Sequence, residues 1–326
     1  MIEDIRLLVN GELSKVNDYL DKSLYSQEPA IKQLTQYSFQ QRGKQLRPQL
    51  VLIVAGMLGG NITEKTHRGA ALISLLHHAS LIHDDVVDEA TSRRYIKTVN
   101  SVWDNKTAVL FGDYLLARSL QIAIANQDYD FLPMLISVVQ AMSEGEIIQL
   151  KEAQTMRVCE ATYLQIVHKK TASLLGTSCA IGAVSISATP EQIKIMYEIG
   201  EQLGMAFQLN DDLLDYSITT DAGKSKFMDL KSRTLTLPLI YALQQASASK
   251  VQYILSLIKT YNTTADAKMA QEILSFVDSL DGINYTLRKI AHYRQTVLDL
   301  AISHLPDSPY KDLFITFIQE IMPINQ

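Results

Sequence analysis

Apolar residues recur along this chain at every third or fourth position, and strict alternation is scarce. Spacing of that kind lays an apolar stripe along a helix, whereas alternation marks a half-buried strand. The pattern predicts helices at about 1–23, 28–41, 47–59, 65–90, 107–126, 129–156, 160–187, 190–217, 234–246, 250–261, 265–279, 283–304 and 309–322. One start carries its own chemistry. Thr189-Pro190-Glu191-Gln192 sets a capping hydroxyl before a first-turn proline, with a glutamine placed to cap back. No solenoid period and no long polar linker appear, so the expectation is an all-α chain folded as a single large helical domain over 1–326.

Composition agrees. Of 326 residues, 47% are hydrophobic, enough for a sizeable core, while 14 Gly and 8 Pro supply few turns for an all-β fold. Thirty Lys and Arg against 35 Asp and Glu give a net charge of −5, which argues against a nucleic-acid partner. The two cysteines, Cys159 and Cys179, lack metal-ligand spacing and argue against a disulfide framework. The N-terminus has no apolar signal core. The longest uncharged run, Thr171–Pro190, is broken by Ser, Thr and Gly and reads as a buried helix rather than a membrane span. A soluble, cytoplasmic protein with no transmembrane segment is expected.

The chemistry concentrates in a repeated constellation. His83-Asp84-Asp85-Val86-Val87-Asp88 is echoed by Asn210-Asp211-Asp212-Leu213-Leu214-Asp215. On a helix the first and third Asp share a face and repel one another, a cost that a bound cation removes. Ile193, Met196, Gly200, Gly204 and Phe207 extend by helical arithmetic to Asp211 and Asp215, and Ala70, Ile73, His77 and Ser80 extend to Asp84 and Asp88. Carboxylates turned inward need a compensating cation or must take up protons. Oxygen-only donors suit Mg²⁺, a hard ion commonly shared with phosphate oxygens.

Cations that fit a phosphorylated substrate accompany the clusters: Lys44 and Arg47 at a helix start, Arg93-Arg94, Lys169-Lys170, and Gly223-Lys224. With these in hand, the chain resembles the all-trans polyprenyl diphosphate synthase family. The resemblance runs in order from residue 43 to 241. It takes in Gly43-Lys44-x-x-Arg47-Pro48, His77, the first cluster with Arg93-Arg94, Gly112-Asp113-Tyr114, Gly145-Glu146-x-x-Gln149, Lys170-Thr171, Phe207-Gln208 with the second cluster, Gly223-Lys224 and Thr236-Leu237-Pro238.

The resemblance implies an isoprenoid synthase fold, roughly a dozen helices around a central cavity, and head-to-tail condensation of isopentenyl diphosphate with an allylic diphosphate. Asp84, Asp88 and Asp211 would hold Mg²⁺ on the allylic diphosphate, with Asp85, Asp212 and Asp215 as ligands or supporting acceptors. Arg93, Lys170 and Lys224 would bind the same diphosphate. Lys44, Arg47, His77 and Arg94 would bind isopentenyl diphosphate. Thr171 and Gln208 would direct oxygens at the allylic carbon. A homodimer is implied, and a subunit of a heteromeric synthase stays open. Departures fall at Tyr95-Ile96-Lys97, where relatives have Gly-x-Pro, and in the loop over 225–234.

Product length turns on the turn of helix before the first cluster. Ser80 lies four residues, about one turn and about 6 Å, before Asp84 along the axis, with Ala79 beside it. By resemblance, bulky residues here floor the tail pocket. These small ones predict a pocket running past Leu76 and Ile73, and so a long-chain product. The alternative is a short-chain synthase making farnesyl or geranylgeranyl diphosphate.

Overall fold

The computed structural model describes residues 2–40, 42–59, 61–93, 95–216, 232 and 234–321. Helices dominate them. They are α1 (Ile2–Ser23), α2 (Pro29–Ser38), α3 (Leu46–Gly59), α4 (Glu64–Val87), α5 (Val99–Val102), α6 (Asn105–Ala125), α7 (Leu132–Thr155), α8 (Glu160–Val167), α9 (Ser173–Ser185), α10 (Pro190–Leu214), α11 (Leu237–Gln245), α12 (Ala248–Thr264), α13 (Ala267–Ser279), α14 (Gly282–His304) and α15 (Pro309–Ile321). The all-α expectation holds. Two features escape the periodicity. A two-residue antiparallel hairpin, β1 (Ser92–Arg93) with β2 (Ile96–Lys97), pairs Ser92 with Lys97 and Arg93 with Ile96. A π turn, His168–Ala172, separates α8 from α9 inside the stretch expected as one helix.

The predicted cap of α10 forms. The Gln192 N–H donates to the Thr189 hydroxyl (3.3 Å), and the Thr189 N–H donates to Gln192 Oε1 (3.0 Å). Thr63 and Thr66 make the same reciprocal cap at the start of α4. Two donors that the first helical turn leaves without partners are thereby satisfied at each start.

The contacts of the chain cluster in two units. The first comprises 1–139, 177–198 and 303–316, and the second 140–176, 199–302 and 317–326. Every boundary falls inside a helix, which is why no linker marks it in the sequence. In the first unit α4 packs against α6, α3 and α1. Leu50 to Met57 of α3 are buried without a break, as in a helix apolar on all sides. Arg68 of α4 donates from Nε to Asp128 Oδ2 (2.6 Å) and from a terminal nitrogen to Oδ1 (3.0 Å), pinning the turn before α7 by a two-point ion pair. In the second unit the core gathers Leu239, Ala242, Ile254, Ile258, Ile273 and Val277 from α11, α12 and α13, together with Tyr216 just after α10.

By length and composition α6 and the stretch Tyr129–Thr155 are apolar enough to cross a membrane. Much of their apolar surface is exposed, including Val109, Leu110, Ile124, Ile136 and Ile147.

Candidate active site

The first acidic cluster closes α4. Asp84 is half-buried, Asp88 is the exposed C-cap residue, and Asp85 is the buried member. Arg93 on β1 approaches Asp85 Oδ1 with two nitrogens, Nε and a terminal one, each at 2.9 Å. Burial pushes the Asp85 carboxyl above the usual range; Arg93 opposes that rise and Asp88 adds to it. Asn100 braces the chain behind the cluster by donating to the carbonyls of Asp85 (3.3 Å) and Ala90 (3.1 Å). Tyr95, at the hairpin turn, has φ 68°, in the left-handed region that favours glycine. It occupies the position where the resemblance has Gly.

Lys44, Arg47 and His77 lie in the same unit. Arg47, in the first turn of α3, meets His77 of α4 at 3.0 Å. Lys44 is exposed just before α3, between two left-handed residues, Gly43 (φ 59°) and Gln45 (φ 48°). Asn17 of α1 locks that turn. Gln45 Nε2 donates to Asn17 Oδ1 (2.8 Å), as does Arg42 (2.7 Å). The strain of a left-handed glutamine is thus held by side chains of a separate helix. Ala79 is buried on α4. Ser80 is half-buried and donates to the His77 carbonyl (2.8 Å).

The second unit holds a continuous hydrogen-bonded chain. Thr171 Oγ1 donates to Gln208 Oε1 (2.7 Å), Gln208 Nε2 donates to Asp212 Oδ1 (2.7 Å), and the Tyr163 hydroxyl donates to Asp212 Oδ2 (2.5 Å). Tyr163, Asp212 and Thr171 are 6%, 8% and 8% exposed. The π turn sets Lys170 and Thr171, and two glycines set the π turn. A Cβ on Gly204 of α10 would stand 2.5 Å from Ala172 Cα, and one on Gly145 of α7 would stand 3.0 Å from Lys169 Cβ. π turns are rare and recur at functional sites. Of the two adjacent lysines, Lys169 pairs with Glu144 (2.5 Å). Lys170 pairs with Glu146 and reaches Gln149 Oε1 at 3.4 Å.

Two expectations need correcting. Helical arithmetic from Gly200 and Gly204 puts Asp211 and Asp215 on the inner stripe, but Asp212 is the buried member and Asp211 is exposed. The deep stripe is Met196, Ile199, Leu203, Ala206, Leu209, Asp212 and Tyr216, and α10 ends at Leu214. Past that end the Asp215 N–H bonds to the Asp212 carbonyl, three residues back (3.3 Å), so the four-residue extrapolation fails. Asp85 likewise replaces Asp84 and Asp88 as the deepest member of the first cluster. Tyr163 went unnoticed in the sequence, where its one signal is a place seven residues, two helical turns, before Lys170. Arg94, Lys224 and most of the loop over 225–234 lie outside the described residues.

The donor set fits a hard divalent cation. Burial, reinforced by the negative charges of Asp211 and Asp215, pushes the Asp212 carboxyl up to about 6, although Tyr163 and Gln208 donate to it. Packing three carboxylates so closely is a cost that a cation relieves. Among the described residues no three His, Cys, Asp or Glu side chains converge as a ready-made cage. That suits Mg²⁺, which commonly takes one or two carboxylates and completes its shell with water and substrate phosphate. A hollow of about 350 Å³ on α6 is lined by Tyr114, Ala117, Arg118 and Gln121, none of them a member of either acidic cluster.

Comparison with known proteins agrees with the motif order. Residues 28–277 match the polyprenyl synthetase family profile. Over 316 residues the chain is 32% identical to octaprenyl diphosphate synthase of Haemophilus influenzae, spanning 97% of this chain and 94% of that one. It is 31% identical over 288 residues to heptaprenyl diphosphate synthase component 2 of Bacillus subtilis, spanning 88% and 81%. Its fold matches the crystal structure of a decaprenyl diphosphate synthase from Rhodobacter capsulatus with a TM-score of 0.91 at 28% identity, over 99% and 98% of the two chains. A profile match over most of the length, with relatives that span nearly the whole chain, places it: the chain belongs to the polyprenyl synthetase family.

Proposed function

We propose that this protein is an Mg²⁺-dependent prenyltransferase that condenses isopentenyl diphosphate head to tail with an allylic diphosphate to make a long-chain all-trans polyprenyl diphosphate. The observation that carries the reading is the oxygen-lined chain Thr171–Gln208–Asp212 beside Lys170, set on a π turn. It supplies a cation for a diphosphate and oxygen dipoles for an electron-poor carbon on neighbouring residues.

Heterolysis of the allylic C–O bond sends the electron pair to the diphosphate and leaves an allylic cation. Lys170 and Arg93 bind the diphosphate oxygens, Lys170 exchanging Glu146 and Arg93 exchanging Asp85 for the substrate. Asp84, Asp88 and Asp211 would hold divalent cations, which would supply positive charge to stabilise the departing oxygens. Asp85, Asp212 and Asp215 support those ligands. Thr171 and Gln208 stabilise the cation through oxygen, which does not trap it as an amine or thiolate would. Lys44, Arg47 and His77, with Arg94, bind isopentenyl diphosphate, and Lys224 joins the allylic-diphosphate set. The double bond of the isopentenyl group then supplies the electrons of the new C–C bond. Loss of a proton to the released diphosphate restores an alkene. Small Ala79 and Ser80 leave room for a growing tail, and the long-chain names of the relatives point the same way.

The exposed apolar residues of α6 support a homodimer in which a second copy, rather than lipid, covers that face. A soluble cytoplasmic setting goes with two free cysteines. The Bacillus subtilis relative, named as a component, supports a second reading, a subunit that needs a partner.

Incubating the purified chain with labelled isopentenyl diphosphate and several allylic starters, with and without Mg²⁺, tests all of this. The expected result is a metal-dependent ladder ending in long products. Farnesyl or geranylgeranyl diphosphate as the end product would overturn the long-chain reading, and activity only after adding a second chain would favour the subunit reading. Asp84→Ala and Asp211→Ala should each lose most activity at an unchanged melting temperature. Full turnover by either would refute the metal assignment.

A further inference from the structure

The chain from Tyr163 to Thr171 has a direction, and that direction has a consequence for the allylic carbon. A glutamine amide presents a donor at one end and an acceptor at the other, and can rotate to exchange them. A threonine hydroxyl can either donate or accept. Left alone, Gln208 and Thr171 could pair in either sense. Asp212 removes the choice. Its carboxylate accepts only, and Oδ1 faces Gln208 at 2.7 Å. The amide nitrogen must therefore point at Asp212 and the amide oxygen at Thr171. The Thr171 hydroxyl then spends its one proton on Gln208 Oε1 (2.7 Å). Only lone pairs remain on the outward side of that oxygen.

Tyr163 is what holds Asp212 in that role. Its hydroxyl meets Asp212 Oδ2 at 2.5 Å, where both residues are buried. Removing the hydroxyl leaves a buried carboxylate oxygen without its donor, and the cheapest repair is for Asp212 or the amide to turn. If the amide flips, the threonine accepts from it and its proton is freed to point outward.

We propose that Tyr163 is a positioning residue that fixes the polarity of the Thr171 hydroxyl through Asp212 and Gln208, so that the hydroxyl offers lone pairs and not a proton to the allylic cation. The inference rests on the prenyltransferase reading above and adds to it a residue that touches neither substrate.

The test separates charge from shape. Two unreactive analogues of geranyl diphosphate are compared by calorimetry in the presence of Mg²⁺: one has a quaternary ammonium at the reacting carbon, the other a neutral quaternary carbon. Any effect on diphosphate or metal binding cancels in the ratio of their affinities. Tyr163→Phe should lower the preference for the charged analogue about tenfold, as expected for one hydrogen bond in a charged network. The neutral analogue should bind as before. In a Thr171→Val background the same substitution should change the ratio less than twofold, because the hydroxyl it acts through is gone. Turnover should follow: kcat about tenfold lower in Tyr163→Phe, with KM for both diphosphates held within twofold.

An unchanged ratio in Tyr163→Phe, or an equal loss with and without the Thr171 hydroxyl, overturns the proposal. Gln208→Met, measured both alone and in the Thr171→Val background, keeps the test open should Tyr163→Phe not fold. The ratio must fall further where the Thr171 hydroxyl is present, and an equal fall in both backgrounds refutes the proposal. Failure of the underlying reading looks different, since the parent protein would then form no product at all.

Discussion

Gly204→Ala is a one-methyl change with opposed consequences. In a helix interior alanine is favoured over glycine by about 1 kcal/mol. At Gly204 the new Cβ would lie 2.5 Å from Ala172 Cα and 3.1 Å from its Cβ, against 3.4–4 Å for an ordinary contact. The obstacle is backbone, which cannot swing aside as a side chain can, so it must yield by about 1 Å, and overpacking of this kind costs roughly 1–3 kcal/mol. The two effects leave a net destabilisation of at most about 2 kcal/mol, or a melting temperature up to about 3 °C lower. The effect on catalysis is larger. Ala172 ends the π turn that carries Lys170 and Thr171, and a displacement of about 1 Å in positioned groups can cost on the order of 100-fold. Thermal melting and kcat at saturating substrate measure both. Gly11→Ala is the control. Gly11 lies inside α1 with no atom within 4 Å of a new Cβ, so alanine there should stabilise by about 0.5–1 kcal/mol with kcat unchanged. A Gly204→Ala enzyme with parental kcat and a raised melting temperature would refute the claim that this contact sets the π turn.

Other outcomes follow from the same geometry. Asp212 is pushed from 3.8 up to about 6, so the metal-free folded state keeps a proton that the unfolded chain has already released. Stability from this group is fully present below pH 4 and declines as pH rises through 6. Asp212→Asn should remove that decline in denaturant midpoints measured between pH 4.5 and 6.5, and a parallel slope in the two proteins would contradict it. Ala79→Tyr should shorten the product, with a stability cost of about 1–3 kcal/mol because Ala79 is buried. An unchanged product distribution would refute its place at the tail pocket. Tyr95→Gly should stabilise by about 0.5–1 kcal/mol, since a left-handed φ on an exposed tyrosine is relieved at some entropic cost. A lower melting temperature in that variant would count against the hairpin strain.

The helices and the chemistry were legible for different reasons. Stripes spaced by three and four residues persist through α1, α4 and α10, so their extents could be read to within a few residues. The Thr189–Gln192 cap was readable because both its partners are local. The acidic clusters announced themselves by repetition. Which Asp of each is buried did not follow, because α10 ends at Leu214 and the deep stripe runs through Leu209 and Asp212. Nor did Tyr163. Its partner is 49 residues away in sequence, and an aromatic on a helix face reads first as core. The π turn was invisible for a deeper reason. Adding one residue to a turn leaves composition unchanged and shifts periodicity by less than the noise of a single sequence.

That turn also sets a conflict for anyone who would harden this enzyme. Deleting one residue between His168 and Ala172 would heal the helix into regular i-to-i−4 bonding, the sort of repair that stability screens reward. It would also remove the widened turn that places Lys170 and Thr171, shifting both out of reach of Gln208 and Glu146 while the flanking helices keep their facing. The most robust version of the helix and the working version differ by a single amino acid, and selection for heat resistance alone should find the inactive one.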